Sequence, residues 1–173
     1  MEQSRFATLS TLFAFLMVIT AKILIPLNES AITIQMFIVV LSAILGGSMV
    51  GLTAQLIYLL FGLFVPVFNS QALAIEYFSK PVNLFTLIFP FVALAIGTYV
   101  FTWKPLYNML LRATVVILFA SIVFLFANYL LTDNFTFEIF IKKNTAMLIS
   151  NLIETYIAVM LCYYWIKYNK LAK

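Results

Sequence analysis

Histidine is absent from this chain of 173 residues, only 9% of the residues are charged, and there is one cysteine. Without histidine the commonest general base and the commonest protein metal ligand are both missing. So few charges cannot build a water-facing surface, since a soluble domain carries about a quarter charged residues. The lone Cys162 cannot close a disulfide within the chain, and its apolar surroundings suit a small buried packer. Nor is there a glycine-rich phosphate-cradling loop ending in Gly-Lys-Ser/Thr. Gly46, Gly47 and Gly51 come nearest, with no lysine after them, so any ATP-driven work is expected of another chain.

What is abundant is apolar: 65% of the residues are hydrophobic. At about 20 residues per membrane span, the length has room for six helices. It leaves none for a separate soluble domain. The fold class expected is therefore all-α, a single polytopic membrane domain over residues 1–173. Apolar segments fall at 6–24, 32–45, 49–64, 81–103, 113–131 and 145–166. Pro26 closes the first, Gly46-Gly47-Ser48 divides the second from the third, and Pro66 follows the third. Pro81 suits the first turn of the fourth. The first segment is too long for the apolar core of a signal peptide and is expected to be retained.

The net charge of +4 does not point to nucleic acid, because the basic residues sit at segment ends rather than along one face. They set orientation instead. With both termini cytoplasmic, the inner side of the cell membrane holds Arg5, Lys104, Arg112, Lys167, Lys170 and Lys173. The outer side holds Lys22, Lys80, Lys142 and Lys143 with Glu29, Glu76, Asp133 and Glu138. Trp103 and Tyr163-Tyr164-Trp165 then lie at the inner interface, where amphipathic rings are favoured. The longer connections, 28–31, 69–80 and 132–144, all fall outside. They are either solvated linkers or parts of a ligand lid.

Glu154 lies deep in the sixth segment, where an ionisable group is costly and marks a functional site by default. Asn151, three residues earlier, shares its helical face. The pair either lines a ligand site or makes interhelical bonds, with Lys142 or Lys143 as possible salt-bridge partners of Glu154. Thr33 and Gln35 stand at the mouth of the second segment, as ligand contacts or helix caps. Asn69 and Gln71 open the third-to-fourth connection and can hydrogen-bond a polar ligand. In the first segment, Ala7, Ser10, Thr11 and Ala14 are small. Ser10 and Ala14, four apart, let another helix of this chain or a partner approach closely.

The stretch from Ile25 to Phe68 resembles the N-terminal half of the BioY family, the biotin-binding S-components of energy-coupling factor (ECF) transporters. The residues that carry the likeness are Ile25-Pro26-Leu27, Ile32-Thr33-Ile34-Gln35, Leu45-Gly46, Tyr58 through Leu63, and Pro66-Val67-Phe68. The resemblance implies six helices around a vitamin pocket near the outer face, lidded by outer loops. It also implies a transmembrane coupling protein and two ATPase subunits as partners, docking on small residues such as Ser10 and Ala14. No cofactor is implied.

Some pocket motifs depart from the family. Where the family has a glycine-rich stretch after Pro-Val-Phe, this chain has NSQALAIEYF, and of Gly-Pro-Thr-Gly-Gly only Pro81 remains. The family's Gly-Asp-Leu-x-Lys on the last helix is matched by Ser150-Asn151-Leu152-Ile153-Glu154. Asparagine still offers a ureido group a donor and an acceptor. Glutamate reverses the charge that would meet a carboxylate, which favours a ligand with an amide there, unless Lys80 or Lys142 supplies the positive charge. Outside this class stand a membrane scaffold or assembly subunit, which needs no enclosed polar pocket, and a membrane enzyme. For an enzyme, Glu154 alone supplies too few acid–base groups.

Overall fold

The computed structural model describes residues 3–27, 30–68, 73–80, 83, 87–98, 105–131 and 137–171. Among these residues there are seven α-helices, α1 Gln3–Lys22, α2 Gln35–Gly46, α3 Ser48–Phe61, α4 Ala74–Phe78, α5 Phe89–Gly97, α6 Leu106–Leu131 and α7 Phe137–Leu171. All but the short α4 correspond to the six apolar segments of the sequence.

Three helices have windows long and apolar enough to cross a membrane: Gln3–Lys22, Leu106–Val123 and Met147–Asn169. At 1.5 Å per residue, α2 and α3 span only about 18 and 21 Å, against a hydrocarbon core of about 30 Å. One residue, Gly47, separates them, and its φ of 90° is a backbone conformation that glycine adopts without a Cβ clash. Here α2 turns back as α3.

Helix α2 is the centre of the bundle and packs against α1, α3, α5 and α7, while α6 lies outside against α7 and α5. Met36, Val39, Val40, Ala43 and Ile44 of α2 are all buried. Membrane helices gain little from hiding apolar surface from lipid, so close backbone approach carries their packing. Small residues provide it. A Cβ built on Gly97 of α5 would stand 2.5 Å from the Ser48 Cα, so only glycine fits that crossing. The outward faces carry Phe15, Phe64, Phe91, Phe119 and Trp165, each at least 60% exposed, a surface suited to acyl chains rather than water.

Three connections differ from the sequence reading. Helix α1 stops at Lys22, and the chain forms a hairpin of β1 Leu24–Leu27 and β2 Ser30–Thr33. Its strands pair antiparallel, with Leu24 opposite Thr33 and Leu27 opposite Ser30. Pro26 lacks an N–H and is tolerated because a two-stranded ribbon has only edge strands. The connection expected at 132–144 is largely helical, since α7 begins at Phe137. Between the third and fourth segments, α4 is held down by the Ala74 N–H, which donates to the Gly62 carbonyl at 2.8 Å.

Phe68 organises this cover. It is 1% exposed, stacks on Tyr77 at 4.3 Å between ring centroids, and meets Tyr58 and Phe78 edge-on. The Lys22 ammonium at the end of α1 donates to its carbonyl. The Asn83 side-chain amide donates to the Tyr77 carbonyl at 2.7 Å.

Candidate functional site

The polar turn of α7 faces inward. Ser150, Asn151, Glu154 and Thr155 are all buried, with Asn151 at 8% and Glu154 at 9% exposure. Their spacing puts them on one side of a helix whose opposite face, at Ile149, Ile153 and Ile157, is exposed and apolar.

Glu154 reaches across to α2. The Phe37 N–H donates to its Oε2 at 3.0 Å, with the Met36 N–H close by. The Ser150 hydroxyl donates to its Oε1 at 2.7 Å. These contacts have a local cause. Helix α2 begins after Ile34, which has no capping side chain, so its first N–H groups lack partners in their own segment. A carboxyl from another helix takes the place of the missing Ser, Thr or Asp cap. It also puts negative charge where the α2 dipole favours it. No cation is needed. The side chains of Lys142 and Lys143, the salt-bridge partners expected from the sequence, lie outside the described residues.

Gln35 opens α2 at 6% exposure, and its amide lies beside the Tyr58 phenol of α3, itself 2% exposed. The Gln35 Nε2 nevertheless has no hydrogen-bond partner among the described residues. Thr33 is half-buried at the end of β2, which rests against α7 and the end of α1. Four of the residues expected at the ligand site, Thr33, Gln35, Asn151 and Glu154, therefore meet at the junction of β2, α2 and α7. Lys80 sits exposed beyond the end of α4, where its N–H donates to the Tyr77 carbonyl at 3.5 Å, and Tyr77 leads through Phe68 to Tyr58. Asn69 and Gln71 lie outside the described residues.

Ser10 and Ala14 are buried at 0% and 4%, on the side of α1 that packs against α3 and α2. The close approach their size permits is used within the chain. Ala7 and Thr11 are exposed at the edge of the same face of α1, and Thr11 borders a groove next to Ala14. This open groove of about 110 Å³ between α1 and α3 is lined by Thr11, Ala14, Phe15, Val18, Ile57, Tyr58 and Phe61. It is almost wholly apolar and shares only Tyr58 with the polar junction.

One residue of the interior was missed in the sequence reading. Gln55 of α3 is 0% exposed, and neither its Oε1 nor its Nε2 has a partner among the described residues. An amide in the apolar run LTAQLIYLL is as unusual in a membrane helix as Glu154, and that signal was available.

These features define a class, a polytopic α-helical membrane protein with a polar site buried among its helices. More narrowly, the chain belongs to the BioY family, whose model it matches over residues 1–170, and so to transport subunits rather than enzymes. Among solved structures, its fold is similar to the crystal structure of the S-component for biotin from an ECF-type ABC transporter. The TM-score is 0.75 at 17% identity, covering 96% of this chain and 93% of that one. No curated protein matches the chain.

Proposed function

We propose that this chain is the membrane-embedded substrate-binding subunit of a vitamin uptake system, taking biotin or a biotin-like compound. In this reading it works with an ATP-driven ECF module, a transmembrane coupling protein and two ATPases, and both its termini are cytoplasmic. The fold likeness to a biotin S-component supports the ligand class. The observation that carries the reading is Asn151, buried at 8% on the inward face of α7 one turn from Glu154. A carboxamide there can both give and accept a bond with a ureido group.

Asn151, Gln35 and Thr33 form the ligand contacts in this proposal, with Asn69, Gln71 and Lys80 contributing from the cover. Glu154 has a different role from the one its charge suggests. Both its oxygens are occupied by α2 and Ser150, so it positions the junction rather than opposing a ligand carboxylate. Partner docking moves from the buried Ser10 and Ala14 to the exposed Ala7 and Thr11 on the same helix.

The test is a thermal-shift screen of vitamins on the purified chain in detergent, with biotin and biotinamide measured directly by calorimetry. A tight ligand raises apparent stability by mass action. Stabilisation by biotin or its amide, lost in Asn151→Ala, is the expected result. No stabilising vitamin across the set would leave the scaffold reading in its place.

A further inference from the structure

Four buried side chains end in hydrogen-bonding atoms without a partner among the described residues: Ser10 Oγ on α1, Gln35 Nε2 on α2, both amide atoms of Gln55 on α3, and Thr155 Oγ1 on α7. Each comes from a different helix. An unpaired amide is costly inside a protein, and within a bilayer there is no bulk water to relieve it.

The helices bring several of these orphans to one region. Gln55 and Tyr58 are three apart on α3 and share a face, and Tyr58 meets the Gln35 amide. On α1, Ala14 lies beside Tyr58 at the groove. Ser10 is one turn before Ala14, and Gln55 is nearly one turn before Tyr58. Because α1 and α3 run in the same direction, Ser10 stands at about the level of Gln55. Every member of the group is uncharged.

We propose that Gln55 forms the deep end of the ligand site and, with Gln35, binds an uncharged group presenting an N–H beside a C=O, the edge of a urea or a carboxamide. The proposal rests on the uptake reading above. Its chemistry follows from both amide atoms of Gln55 being unmatched. Oε1 needs a donor and Nε2 needs an acceptor. A carboxylate supplies acceptors only and would leave Oε1 bare.

Calorimetry on the full-length chain in detergent, with biotin and biotinamide as probes, tests this. Gln55→Leu is expected to weaken both probes by about tenfold or more, because a ligand N–H or C=O is left unpaired. Its melting temperature without ligand should equal or exceed that of the natural chain, since the unpaired amide is gone. Gln55→Glu, which replaces the amide N–H donors by a carboxyl group, should also weaken both. Unchanged affinity in Gln55→Leu overturns the proposal and leaves an internal water as the partner of Gln55. So does loss of the folded state in both Gln55→Leu and the unbranched Gln55→Met, which would make the amide structural. Failure of the natural chain to bind either probe is a separate result, and it removes the uptake reading together with this one.

Discussion

The Glu154 carboxyl, held by the Phe37 N–H and the Ser150 hydroxyl, ties the start of α2 to the middle of α7. Removing it leaves α2 without a cap in a place water does not reach. Glu154→Ala is expected to destabilise the chain by about 1–3 kcal/mol, and Glu154→Gln, which keeps one acceptor, by less. Glu154→Lys should be the worst of the three, since it sets a cation against the positive end of α2. Unfolding in mixed micelles with rising dodecyl sulfate measures these differences. An equal loss with and without biotin is the mark of a positioning residue, whereas loss of binding at unchanged stability would make Glu154 a ligand contact. The sequence made the inward turn at Asn151 and Glu154 legible, because polar groups in a span rarely face lipid. It could not disclose what Glu154 meets, for its partner is 117 residues away. Nor does any local pattern mark the missing cap of α2 as something a distant helix supplies.

Among the elements, apolar runs and their breaks located six helices because a span needs a minimum apolar length and the Gly46-Gly47 turn interrupts it. The hairpin escaped notice. Its strands are four residues each, Pro26 lies within one, and their apolar residues continue the runs on either side. The helical start of α7 at Phe137 was equally hidden, since the polar residues there suit a solvated helix and a loop alike. The cover built on Phe68 depends on one ring contacting three others. Phe68→Ala should cost about 3 kcal/mol or more. It should also raise the ligand off-rate if the aromatic cover closes the site. Stopped-flow release of a fluorescent biotin conjugate reads the second effect, and an unaltered rate would show that α4 does not gate the ligand.

For the whole molecule, assembly turns on which small residues of α1 are exposed. Ala7→Leu combined with Thr11→Leu is expected to weaken co-purification with the coupling protein while leaving stabilisation by biotin intact. Ser10→Leu, buried against the chain's own helices, should instead lower stability. Loss of assembly only in the Ser10 variant, with its stability unchanged, would return docking to Ser10 and Ala14.

Helix α3 has a consequence for the surrounding lipid. Its outward face, at Met49, Leu56, Leu60 and Phe61, touches acyl chains, and beyond Phe61 the backbone is no longer helical although Leu63, Phe64 and Val65 are still exposed and apolar. The turns that follow satisfy their own N–H groups, Gly62, Leu63, Phe64 and Val65 donating to the Tyr58, Leu60 and Phe61 carbonyls. Yet the regular helix is about 21 Å long against a hydrocarbon core of about 30 Å. The hydrocarbon core is expected to thin beside α3 toward about two-thirds of its usual thickness. Such mismatch carries an elastic cost that grows with acyl-chain length. Reconstituted into bilayers of increasing thickness, the protein should lose stability steadily, and thin annular lipids should gather along this one flank.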